Sequence, residues 1–206
     1  MSRTPQSRRI LAAEPYTQWE PGVHSPGSAC GPATLAAMME YWHTRQGADF
    51  IPGSRHFATK AAHINYIYSH HSGRAWGMSV RSFVRALHGY ISSASGKDEN
   101  NSGRPDVAVF NDIERYKAEI NAGRPVALKF DKWFSLRWQG EFAYDYHWVL
   151  GTGYEEPADG SGPVLIVHDN GVRLRGGGYL PGQERRIHYK PNQDVISMVS
   201  LNITGF

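Results

Sequence analysis

The 206 residues contain a single cysteine, and it opens the run Cys30-Gly-Pro-Ala-Thr34. A thiol is an effective nucleophile as the thiolate. The start of a helix favours that form, because its free N–H groups and aligned peptide dipoles stabilise negative charge. Pro32 suits a first helical turn, which puts Cys30 at such a start. Gly31 leaves room for another backbone to approach, and no large side chain flanks Cys30 to bury it. A buried structural cysteine is the competing reading, since free Cys is among the most buried residue types. The small flanking residues favour a reactive thiol.

Other residues point toward or away from further chemistries. Ten histidines are present, and His56, His63 and His70 fall seven apart. On one helix face that spacing separates them by ~10.5 Å along the axis, too far to share a metal ion. There is no His-Glu-x-x-His motif, and one cysteine excludes a multi-thiolate zinc site, so no metal and no cofactor are expected. Gly151-Thr-Gly153 and Gly176-Gly-Gly178 lack the spacing and the following Lys of a nucleotide loop. His147 is better placed, because it opens an apolar strand-like run that would fix the ring and leave one edge to a cleft. The run Val164-Leu-Ile-Val-His168 ends in Asp169-Asn170, and either side chain could hold an imidazole by its second nitrogen. A plain turn at Asp169-Asn170-Gly171 is the competing reading.

These residues need elements to position them. Leu35, Met38, Met39 and Trp42 repeat at helical spacing and predict a helix that begins at Cys30. Residues 1–29, rich in Pro and Gly, read as an extended lead-in over the domain. A second helix is expected over about residues 57–70. A third has Ser79 as N-cap, Val80, Phe83, Val84 and Leu87 on one face, and Gly89 as C-cap. Residues 92–105 read as a surface loop. Beyond it come a strand at 107–110, a helix over about 112–121 and a strand at 126–130. Strands at 147–154, 163–168, 185–189 and 195–201 follow. Helices first and antiparallel sheet second predict one α+β domain over 1–206, with a helical part at 30–91 and a sheet part at 106–206. Six aromatic residues between Trp133 and Tyr146 are divided between core packing and a loop lining a substrate cleft.

Gln18, Cys30-Gly-Pro-Ala-Thr34, Ile120-Asn-Ala-Gly-Arg-Pro-Val126 and Tyr146-His-Trp-Val-Leu-Gly-Thr-Gly-Tyr154, in that order, resemble papain-like cysteine peptidases related to the bacteriocin-leader peptidases. The resemblance runs over roughly residues 16–170. It implies a papain-like fold, with the nucleophile helix packed on a C-terminal antiparallel β-sheet. It also implies a triad in which Cys30 attacks a carbonyl, His147 takes and returns the proton, and Asp169 orients His147. Asp is usual at the third position in that group, while papain itself uses an amide, which keeps Asn170 as the alternative. Gln18 and the backbone N–H of Cys30 would bind the oxyanion. Papain's own second Cys before the nucleophile and aromatic after it are absent here.

Composition narrows the partners. A net charge of +3, spread along the chain, falls short of a nucleic-acid footprint. No apolar run reaches the ~18 residues of a membrane span. Ile10 to Ala13 is too short for a secretory signal, so the expectation is a cytoplasmic protein or one whose signal has been trimmed. The expected function is hydrolysis of a peptide or other amide bond through a thioester, on a peptide or protein substrate. An acyltransferase or transglutaminase with the same triad, or a binding module without turnover, are the alternatives.

Overall fold

The computed structural model describes residues 7–71, 73–95, 104–137 and 139–204. Helices α1 (Cys30–Arg45), α2 (Lys60–His70) and α3 (Val80–Ser95) come first, after a short strand β1 (Ser7–Ile10). The second half holds β2 (Arg104–Phe110), α4 (Ile113–Asn121), β3 (Val126–Asp131), β4 (Tyr146–Glu156) and β5 (Val164–Asp169). A small hairpin of β6 (Val172–Arg173) and β7 (Tyr179–Leu180) precedes β8 (Gln183–His188), α5 (Tyr189–Asn192) and β9 (Ile196–Thr204). The main sheet runs β2-β9-β3-β4-β5-β8, with β1 added beside β4, and every pairing in it is antiparallel.

Period-two alternation divides the apolar residues of this sheet between two cores. Ala127, Trp148, Leu150, Val199 and Leu201 face one core, which is filled from the other side by α1 and α3 through Leu35, Met38, Phe83 and Leu87. Val126, Leu128, Phe130, Val149 and Met198 face the second core, where α4 adds Tyr116 and Ile120. Burial on both faces is why these strands read as nearly continuous apolar runs. Helix α1 is buried on every side from Cys30 through Trp42. Even its Glu40 is inside, accepting hydrogen bonds from the Ser54 backbone N–H at 2.5 Å and the Tyr16 hydroxyl at 3.4 Å.

Four expectations need correction. The lead-in is not wholly extended coil, because Ser7–Ile10 forms β1 and pairs with the far end of β4. Close approach there depends on Gly153, where an added Cβ would lie 2.5 Å from the Arg9 carbonyl oxygen. Helix α3 is capped by Ser79, which accepts from the Ser82 N–H at 3.1 Å, but it continues past Gly89. Burial of Tyr90 and Ile91 in the core outweighs the helix-ending tendency of that glycine. The segment 92–105 is helix up to Ser95 and strand from Arg104; the rest of that expected loop lies outside the described residues. His56 precedes α2, so the three evenly spaced histidines do not share a helix. His63 is instead buried between the Tyr16 hydroxyl at 3.0 Å and the Tyr90 hydroxyl at 2.9 Å.

Candidate active site

Cys30 is the first residue of α1, and no side chain caps that end, so its first backbone N–H groups are left without helical partners. The thiol is only 5% exposed, contrary to the expectation from its small neighbours in sequence. Residues distant in the chain close over it. An added Cβ at Gly31 would meet the Met78 side chain at 2.8 Å, so the close neighbour there is a side chain and not a backbone.

His147 is the second residue of β4 and pairs with Phe130 of β3. Strand β5 pairs His168 with Leu150 and ends one residue later, which brings Asp169 alongside the segment that carries His147. The His147 Nε2 lies 3.5 Å from Asp169 Oδ1, and the same imidazole acts electrostatically on the Cys30 thiol. Thiol, imidazole and carboxylate are therefore in sequence, although they come from α1, β4 and β5.

The charges reinforce this arrangement. Burial pushes the Cys30 thiol up, but its hydrogen bond to His147, the charge on that ring and more distant Lys129 together bring it below its ordinary value. Burial acts against a charged His147, yet Asp169 and Cys30 on either side lift it to about 9. Asp169 is also opposed by burial, but hydrogen bonds from His147, Tyr144 and Arg185 hold it at about 2. All three shifts run toward the charged forms, a thiolate, an imidazolium and a carboxylate.

The carboxylate is heavily solvated by protein. Its Oδ1 accepts the Gly171 N–H at 2.9 Å, and its Oδ2 accepts the Tyr144 hydroxyl and Arg185 Nη1 at 3.1 Å. Asn170 points elsewhere: its Nδ2 lies 3.0 Å from the Cys30 carbonyl and 2.9 Å from both Thr34 Oγ1 and the Trp148 carbonyl. The residue that faces His147 is thus Asp169, while Asn170 ties α1 to β4.

Gln18 lines a pocket of about 420 Å³ together with Trp19, Tyr144, Tyr146, His147 and Asp169. Its backbone N–H donates to the Asn170 carbonyl at 2.9 Å and its Nε2 donates to the Pro26 carbonyl at 2.7 Å. A second, mostly apolar cavity of about 690 Å³ is lined by Val80, Val84, Val109, Lys129 and Phe134 among others. Lys129, which lines the larger cavity, sits with its Nζ 2.9 Å from the centre of the ring of Tyr146, which lines the smaller one. Of the aromatics before His147, Phe142 and Tyr144 pack on the second core and Phe134 is 87% exposed, while Trp138 lies outside the described residues.

Sequence reasoning placed Tyr144 among the aromatics divided between core and cleft lining, without a role toward Asp169, and did not pick out Lys129 or Arg185. Lys129 is 1% exposed and lies 3.5 Å from Asp131 Oδ2. A lysine interrupting the apolar run Val126-Ala-Leu-Lys-Phe130 was the available signal. Nothing local marks Arg185, which reaches Asp169 through the pairing of β5 with β8 and there meets Tyr144 from the segment before β4.

An α+β fold with a buried thiol at a helix start, facing a strand-borne imidazole, defines a cysteine-peptidase-like hydrolase. The Peptidase_C39 like family model matches residues 10–189, and the chain belongs to that family. No curated protein sequence matches it. Among solved structures, UfSP from C. elegans superposes with a TM-score of 0.54 at 9% identity, over 98% of this chain and 35% of that one. The chain therefore spans about a third of the length of that neighbour, and the likeness is one of fold, the papain-like α+β architecture. Xylellain, a cysteine protease from Xylella fastidiosa, gives a TM-score of 0.45 at 16% identity, over 98% of this chain and 87% of that one. Among the described residues, no helix is long and apolar enough to cross a membrane.

Proposed function

We propose that the protein is a cysteine peptidase, acting as a single domain, that cleaves a peptide or other amide bond through a thioester formed on Cys30. The observation that carries this reading is the continuous chain from the Cys30 thiol through the His147 ring to Asp169, with Nε2 of the ring 3.5 Å from Oδ1.

In the first half-reaction the Cys30 thiolate attacks the carbonyl carbon, and the C–N bond breaks as the His147 imidazolium gives its proton to the leaving amine. In the second, neutral His147 takes a proton from water, the resulting hydroxide attacks the thioester, and the carboxylic acid leaves as the thiolate re-forms. Asp169 fixes the ring and stabilises its charged form. The oxyanion is received by the Cys30 backbone N–H and by Gln18, whose amide uses one N–H on Pro26 and keeps the other. The two spaces that Lys129 and Tyr146 line suit a peptide lying across the site, with an apolar side chain in the larger one.

The experiment is incubation with a peptide library, with and without added primary amines, read by mass spectrometry of both products and intact protein. Cleaved peptides and an acyl adduct on Cys30, both lost in Cys30→Ala, are expected. Amide products that form only with amines would reassign the enzyme as an acyltransferase. Absence of any adduct or product would sink the catalytic reading in favour of a binding module.

A further inference from the structure

We infer that Tyr144 and Arg185 act as positioning residues for the proposed triad: they clamp one oxygen of Asp169 so that the other is held toward His147. This inference rests on the triad reading and adds two residues to it.

The geometry separates the carboxylate into two ends. Oδ2 accepts from the Tyr144 hydroxyl and from Arg185 Nη1 at 3.1 Å, while Oδ1 accepts from the Gly171 N–H at 2.9 Å and faces His147 Nε2 at 3.5 Å. The clamp is itself braced. Arg185 Nη1 also donates to the Tyr144 hydroxyl at 3.2 Å, and its guanidinium carbon lies 5.4 Å from the centre of the Tyr144 ring. The Tyr144 ring lies 4.8 Å from the His147 ring, so one side chain touches both the imidazole and the group that orients it.

A clamp is needed because of where Asp169 sits. It is the last residue of β5, and the chain turns away at once through Gly171, which has a φ of +88°. The turn itself holds only Oδ1, through the Gly171 N–H, and leaves Oδ2 to side chains from elsewhere; a rotated carboxylate would lose the Nε2 contact. Arg185 also helps to hold Asp169 ionised, through its hydrogen bond to the carboxylate. The other charges around the pocket, Asp145 and Arg173 in its lining, Lys129 acting on Cys30 from farther off and Glu184 next to Arg185 in sequence, remain in both the native protein and the variants below.

The test is direct titration of the His147 ring by NMR of histidine-labelled protein, run beside peptide cleavage kinetics. The side chain of Arg185 is 45% exposed, so Arg185→Gln is expected to fold, which thermal melting checks. In Arg185→Gln the His147 titration should move down, because Oδ2 loses its holder and the Asp169 contact that raises the ring loosens. Arg185→Lys should return it toward the native position. Tyr144→Phe should lower kcat about tenfold with KM little changed, as expected for lost orientation of a reacting group. An unmoved or raised His147 titration in Arg185→Gln, or native kcat in Tyr144→Phe, overturns the clamp. If Cys30→Ala keeps native activity the triad reading fails by itself, and the NMR titration still decides whether the clamp exists.

Discussion

The side-chain amide of Asn170 lies 3.0 Å from the carbonyl oxygen of Cys30, so the residue beside Asp169 is joined to the residue that starts α1. Adjacent side chains at the end of β5 thus point to different tasks, Asp169 toward the imidazole and Asn170 toward the helix. Asn170→Ala leaves the Cys30 and Trp148 carbonyls and Thr34 without that donor in a buried site. A loss of about 1–3 kcal/mol is expected for such a group. Urea unfolding should show a lower midpoint with the slope unchanged.

Thiol reactivity should depend on His147 more than on the helix start. Iodoacetamide labelling of the native protein is expected to reach its plateau at a pH below the ordinary thiol range, because His147 holds the thiolate. In His147→Ala the burial that opposes ionisation remains while its main counterweight is removed. The inflection should then rise above that range, and labelling at neutral pH should fall at least tenfold.

Stability should peak on the acid side of neutrality. Asp169 is held at about 2 against an ordinary 3.8, so its contribution is complete above pH 3.8 and is lost as pH falls toward 2. His147 is raised from 6.5 to about 9, so its contribution is complete below pH 6.5 and is lost as pH rises through 9. Unfolding midpoints measured across this range should fall at both ends. Asp169→Asn should remove the acid decline and reduce the alkaline one.

Lys129 offers a sharper separation of reactivity from stability. Burial brings its ammonium down to about 8, with Asp131 and the Cys30 thiolate acting against that shift. Replacing it by Met removes a costly buried charge, so thermal stability should be unchanged or higher. The same change removes a cation that favours the Cys30 thiolate, so neutral-pH alkylation should slow. Equal slowing in a double variant with Asp131→Asn would confirm that the charge on Lys129, and not on its partner, is responsible.

Much of the fold was legible because its strongest signals are local. The stripe Leu35, Met38, Met39, Trp42 marked α1, and the β-branched runs ending at Asp169 and beginning at His147 marked β5 and β4. What the sequence concealed depends on contacts between distant segments. Strand β1 is four residues of mixed polarity, and only Gly153 across from it makes room for its backbone. Gly89 carries a helix-ending tendency that buried Tyr90 and Ile91 override. Met78, from outside α1, presses on Gly31 beside Cys30, and the Tyr144–Arg185 contact joins a loop to β8. No pattern within either segment records such a meeting.

Strand β4 carries His147 and is bonded to β3, β5 and β1, more partners than any other strand has among the described residues. Backbone held in the middle of such a sheet opens only when the whole unit opens, so its amides should be among the slowest to exchange with deuterium. His147 lies near one end of this strand, paired with Phe130 of β3, and the doubly bonded stretch that follows from Leu150 anchors it against local fraying. Activity and native structure should disappear together in one transition.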